Sequence, residues 1–141
     1  MPRYIIQVRA TASSEAGEFP DDPTLVPRMM AFHDEMAKAG VLLDGAGLQP
    51  SSQGFRVLYD AAGQARVTDG PFAETKELIA GYTLIQVRSR EEALEWTRRF
   101  PAPFENMACE IEVRPLYELE DSAPGAAVER LREMSPGTRH A

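Results

Sequence analysis

The stretch Val67–Val87, VTDGPFAETKELIAGYTLIQV, decides how the rest of the chain is read. Val67-Thr68 ends a β-branched run, Asp69-Gly70-Pro71 breaks it, and alternating charges follow through Glu77. Ile79 to Val87 then forms the longest strand candidate in the chain, rich in β-branched and aromatic residues. The Asp69-Gly70-Pro71-Phe72 tetrad between the two strands has a structural account. Gly70 supplies an unusual backbone angle, Pro71 opens a short helix where no N–H is needed, and the Asp69 carboxylate accepts the free N–H of Phe72 or Ala73 as a cap. It also has a functional account: an acid at a strand end, beside an open sheet face, serves as a general base or orients a ligand.

Working outward from this turn places the other elements. Downstream, Ser89-Arg90-Glu91-Glu92 reads as a capping box that starts a helix through Trp96 and Phe100, stopped by Pro101. Glu110-Ile111-Glu112-Val113-Arg114 alternates cleanly and makes the last core strand. Upstream, Gly54–Tyr59 and Gln64–Thr68 form a hairpin around Asp60-Ala61-Ala62-Gly63. Val41-Leu42-Leu43 begins a strand that Asp44-Gly45-Ala46-Gly47 breaks. Before it, Leu25, Met29, Phe32, Met36 and Gly40 fall on one stripe of a helix, and Gly40 closes it in the left-handed conformation. Asp22-Pro23 can cap that helix, although Pro27 predicts a ragged first turn or a later start. Ala10 to Asp22 reads as a loop, and Tyr4–Arg9 as the first strand.

The resulting order of strand, helix, strands, strand, helix, strand is an α+β, ferredoxin-like split βαβ pattern with an inserted hairpin. Both helices should cover one face of an antiparallel sheet and leave the other open. An uncovered face bearing Tyr and Ile side chains needs a partner, so the expectation is a homodimer. The domain should span residues 1–120. Residues 121–141 form a C-terminal tail holding a short, weakly amphipathic helix at most.

Composition narrows the function classes. The chain has 141 residues, 43% hydrophobic and 26% charged, ordinary for a soluble globular protein. Its 22 acidic against 15 basic residues leave a net charge of −7, the wrong sign for a nucleic-acid surface. Cys109 is the sole cysteine, which excludes an intrachain disulfide and predicts a small buried side chain. Neither a signal peptide nor a membrane-length apolar run is seen, so a cytoplasmic protein is expected. There is no paired His/Cys spacing or dense acidic loop, so no metal is expected.

Four segments together now resemble a known family: AGVLLDGAGLQPS, TDGPFAETKELIAGY, EEALEWTRRFP and EIEVRP. In order and spacing they are similar to the DGPF proteins of the YCII-related family, over about Met29 to Tyr117. The resemblance implies a dimeric α/β barrel in which two sheets pack face to face. It implies no single activity: some relatives in the wider superfamily are dehydrochlorinases or muconolactone-type isomerases, and related genes often lie beside extracytoplasmic-function sigma factors. Many relatives carry His in the motif matched by Gly47-Leu48-Gln49-Pro50, whereas this chain has Gln49, a candidate substrate-binding residue.

Several side chains could carry chemistry. His33 lies about 40° from Met29 on the helical wheel, inside the apolar stripe, so it is either a satisfied core residue or a general acid/base aimed into a cleft. His140 lies in the tail and reads as solvated, and Glu74, Lys76 and Glu77 as a self-paired surface. Glu110, Glu112 and Arg114 share one strand face, opposite Ile111 and Val113. There Arg114, with Glu112, could hold a carboxylate ligand bidentately or form interface salt bridges. These residues point to a small organic molecule bound in a cleft at the sheet face. The chemistry would be cofactor-free isomerase, lyase or dehalogenase-type proton transfer, with His33 or Asp69 as base. The competing class is a non-catalytic sensor or partner in a sigma-factor-linked stress response.

Overall fold

The computed structural model describes residues 1–104, 107–122 and 125–134. Along these residues run β1 (Arg3–Arg9), α1 (Ala12–Glu15), α2 (Leu25–Lys38), β2 (Leu42–Gly47), β3 (Phe55–Tyr59), β4 (Ala65–Asp69), β5 (Ile79–Gln86), α3 (Arg90–Arg98), β6 (Ile111–Pro115), α4 (Leu119–Ser122) and α5 (Gly125–Met134). The four core strands lie in the order β2-β5-β1-β6, every pair antiparallel. This order is compatible with the ferredoxin-like split βαβ arrangement. Strands β3 and β4 pair only with each other, as the inserted hairpin.

Alternation along β5 fixes the two faces. Gly81, Thr83 and Ile85 are buried, and their neighbours are half-exposed. Across the ladders Ile6 stands opposite Thr83 and Val113, and Val8 opposite Gly81 and Ile111, so these residues share one face. On it Phe32 and Met36 of α2 and Ala93 of α3 join Ile6, Val41, Ile85, Val87 and Phe100 in the core. Ile6, Met36, Ile85 and Val87 are completely buried, each stabilising the fold by about 1.5–3 kcal/mol relative to exposure. The Phe32 ring meets Phe100 edge-on at 5.3 Å and Trp96 at 6.1 Å, the offset geometry that aromatic quadrupoles favour.

Local chemistry explains where the elements begin and end. Helix α2 starts at Leu25, which leaves Pro27 in the first turn, where its missing N–H costs nothing. Asp22 accepts the backbone N–H of Thr24 at 2.8 Å and the Arg28 guanidinium at 2.9 Å. Gly40 takes φ +77° just past the helix end, and Val41 N–H then bonds back to the Met36 carbonyl. The expected break at Asp44 is absent: β2 continues to Gly47, with a bulge between Leu42 and Asp44, because ladder bonds to β5 outweigh the weak strand propensity of its glycines. Residues 12–15 are helical rather than loop, since Thr11 and Ser14 form a reciprocal capping box. Helix α3 stops at Arg98, short of Phe100, whose following proline disfavours helical backbone. The last core strand is displaced by one residue and ends at Pro115.

The cap of α3 also differs from the simple box. Ser89 Oγ accepts the Glu92 N–H at 3.2 Å, but the Glu92 carboxylate reaches past Ser89 to the N–H and guanidinium of Arg88. These bonds from the Arg88 side chain and backbone hold the Glu92 carboxyl below its ordinary value of 4.5. A lowered folded value stabilises the protein above the unfolded pKa, and that stability is lost as pH falls through the folded pKa. The stability gap between wild type and Glu92→Gln should therefore be full at neutral pH and close on acidification below 4.5. Denaturant titrations at several pH values measure it. In the core, Met36→Ala should cost about 2–5 kcal/mol, whereas Met30→Ala, at a position 67% exposed, should stay within about 0.5 kcal/mol of wild type.

Candidate functional site

Two cross-strand rows form the floor of a cleft. Val8, Gly81 and Gly47 lie in one row, and Ile6, Thr83 and Gly45 in the next, all on the helix-covered face. Where the rows carry glycine, no side chain rises to meet the helices, and a cavity of about 560 Å³ opens. Its walls come from Leu25, Met29 and Met30 of α2, from Phe19 before it, and from Phe100 and Phe104. Gly81 is favoured by close approach, since a Cβ there would stand a tight 3.0 Å from the Ala46 carbonyl oxygen. Gly47 has open space around its missing Cβ, so glycine at that position serves the cavity rather than the packing.

His33 lines this cavity, half-buried, one helical turn beyond Met29. Its ring meets Phe32 at 6.1 Å and Phe100 at 5.8 Å, edge-on to both. Nδ1 lies 2.8 Å from the Met29 carbonyl oxygen and Nε2 lies 2.7 Å from Thr83 Oγ1. A carbonyl can only accept, so these partners assign the proton to Nδ1. In the neutral ring Nε2 then carries the lone pair and accepts the Thr83 hydroxyl proton. Thr83 is 2% exposed, and this bond satisfies its hydroxyl. The arrangement therefore presents an oriented proton acceptor, coupled to a hydroxyl, at the edge of an apolar cleft.

The other residues singled out from the sequence lie elsewhere. Asp69 ends β4 and is exposed, and the Phe72 N–H expected to cap onto it instead donates to Ser51 Oγ at 3.1 Å. Gly70 does not have a positive φ; a Cβ there would overlap the Ser51 carbonyl oxygen, so glycine is needed for close approach. Pro71 opens no helix, and only a short 3-10 turn forms further on, at Thr75–Glu77. Ser51 in turn donates both its hydroxyl and its backbone N–H to the Glu15 carboxylate. Gln49 is exposed and lines a second hollow of about 610 Å³ with Phe72 and Arg56, whose guanidinium stacks on the Phe72 ring at 3.8 Å. Glu74 reaches Arg56 at 3.8 Å instead of pairing with its neighbours.

Glu112 and Arg114 stand on the opposite sheet face from His33, across from Gln7 and Ile5. The cation between the carboxylates is Arg9, 2.8 Å from Glu112 and 3.8 Å from Glu110, while Arg114 is exposed. On that face Tyr82 donates to Asp44 at 3.0 Å, and the carboxylate holds the phenol above its usual range. Cys109 is exposed, in the loop before β6, rather than the buried side chain expected. His140 lies outside the described residues.

The sequence reading singled out His33 but not Thr83 or the glycine floor beside it. A signal existed: Gly45 and Gly47, two apart on a strand, must face the same way. Among the described residues no three His, Cys, Asp or Glu side chains gather as a metal site, and no helix is long and apolar enough to cross a membrane. A curated relative, an uncharacterised protein of Rhizobium meliloti (strain 1021), is 37% identical over 78 residues, covering 55% of this chain and 62% of its own length. The chain thus spans less than two thirds of that relative. The model of the YCII-related domain matches residues 3–117, most of the described structure and the whole β1–β6 core with the cleft in it, and the chain therefore belongs to the YCII-related family.

Proposed function

We propose that the protein binds a small organic molecule in the cleft over Gly47 and Gly81, and that His33 gives and takes a proton there in cofactor-free acid–base chemistry of the isomerase, lyase or dehalogenase type. The observation that carries this reading is the setting of His33. An imidazole with Nδ1–H pinned to a carbonyl and Nε2 directed at a hydroxyl lines a largely apolar cavity of about 560 Å³. Ligand sites are commonly apolar hollows of this size with a few fixed polar groups, and histidine is the natural proton carrier near neutral pH. Asp69 does not line the same cleft, so the proton step rests on His33, with Thr83 as its relay.

Fragment screening by ligand-observed NMR tests the binding site. Hits should bind the wild type and be lost in Gly47→Val, whose side chain fills the cleft from a position with room for a Cβ. His33→Gln should keep binding while abolishing turnover of any fragment that the wild type transforms. Hits that Gly47→Val leaves unaffected would move the site elsewhere.

We also propose that a second copy of the chain covers the opposite sheet face, with Arg114 and Glu112 in that interface. Support comes from Ile5, Leu84 and Tyr82, apolar or aromatic side chains that are half-exposed on a face turned away from the helices. Light scattering at micromolar concentration should return twice the mass of one chain, and the double variant Ile5→Glu/Leu84→Glu should return one. A wild-type monomer would remove the dimer.

A further inference from the structure

We infer that the cleft takes an uncharged, predominantly apolar molecule with one hydrogen-bonding group at the His33–Thr83 end, and that it excludes carboxylates and phosphates. This inference rests on the reading of the cleft as a ligand site and names what that site accepts. No lysine or arginine occurs among the described residues that line it. The one carboxylate among those described residues, Glu18, is exposed and repels anions. The neighbouring cations are already engaged: Arg28 with Asp22 at 2.9 Å, and Arg9 with Glu112 on the far face of the sheet.

A helix end is a further source of positive potential. The first turn of α2 reaches the cleft through Leu25 and Val26, and a helix N-terminus can hold an anion. Here Asp22 has taken that place: its carboxylate accepts the Thr24 N–H and its carbonyl accepts the Leu25 N–H. An anionic ligand would leave water for walls of Leu, Met and Phe and meet no lysine or arginine, a transfer that disfavours the charged form. A neutral ring loses nothing by the same transfer. A single hydroxyl on it meets a site suited to it, because Thr83 Oγ1, while donating to His33, keeps an acceptor lone pair.

The anion-holding role foreseen for Arg114 is thereby separated from the cleft by the thickness of the sheet. If the chain engages an acidic group, the second hollow beside Arg56 has the guanidinium that the cleft lacks.

The test uses 1-naphthol and 1-naphthoate, which share a ring system and differ in charge, titrated into the full ¹⁵N-labelled chain. 1-Naphthol should shift the Gly47, Gly81 and Thr83 amides saturably, and 1-naphthoate should bind there at least tenfold more weakly. Met30→Lys places a cation on the cleft wall at an exposed position that the fold does not depend on, and should raise naphthoate affinity at least tenfold. Naphthoate binding these glycines as tightly as naphthol, with Met30→Lys making no difference, overturns the inference and leaves the ligand cleft standing. If neither compound moves these amides up to millimolar concentration, the cleft reading falls and the inference falls with it.

Discussion

One strand ties the core to the cleft. Because β5 is hydrogen-bonded on both edges, to β2 and to β1, it cannot slip register or rotate without breaking two ladders at once. Its period of two then sends Val87, Ile85, Thr83 and Gly81 to the same face in turn. The first two are completely buried under the helices, the third is a buried hydroxyl, and the fourth has no side chain. Along about four alternate positions the strand passes from packed hydrocarbon, through a single polar contact, to empty space. The placement of Thr83 against His33 is therefore a by-product of burying Ile85: the energy that seats the core also positions this pair.

Helix α2 is subject to the same coupling from the other side. Phe32 and Met36 seat the helix in the core, and His33 follows Phe32 by one residue, about 100° around the helix axis. That offset is enough to carry the imidazole off the core centre to its rim, where the Met29 carbonyl one turn back can fix its tautomer. A histidine inside an apolar stripe thus has both of the characters that sequence reasoning keeps apart. It is packed against Phe32 and Phe100, and it is also half-exposed to a cavity.

What could be read in advance follows the same physics. The order of elements, the α2 stripe, the Gly40 stop and the hairpin were legible because periodicity and turn chemistry are local. The continuation of β2 through Asp44-Gly45-Ala46-Gly47 was not, because its strand character comes from β5, far along the chain. The Asp69 cap failed for a related reason. The Phe72 N–H found its acceptor in Ser51, some twenty residues upstream, and Gly70 owes its identity to the backbone of that same serine. Local rules correctly marked the tetrad as a turn but could not see what it was turning against. The hollow on the helix-covered face was not legible for the same reason: carboxylates and arginines advertise themselves in a sequence, whereas a floor made of absent side chains does not.

Ser51 joins parts of the chain that are distant in sequence. Its hydroxyl donates to Glu15 and accepts from Phe72, while its carbonyl packs against Gly70, so α1 and both ends of the β3–β4 ribbon meet at one residue. That ribbon pairs only with itself and leaves Phe55, Tyr59 and Val67 largely exposed. A two-stranded ribbon is only marginally stable alone, so its persistence depends on this junction more than on its own ladder. Release of the junction would free the ribbon while leaving the β2-β5-β1-β6 sheet untouched. Amide protons in the ribbon are therefore expected to exchange with solvent through a local opening cheaper than global unfolding.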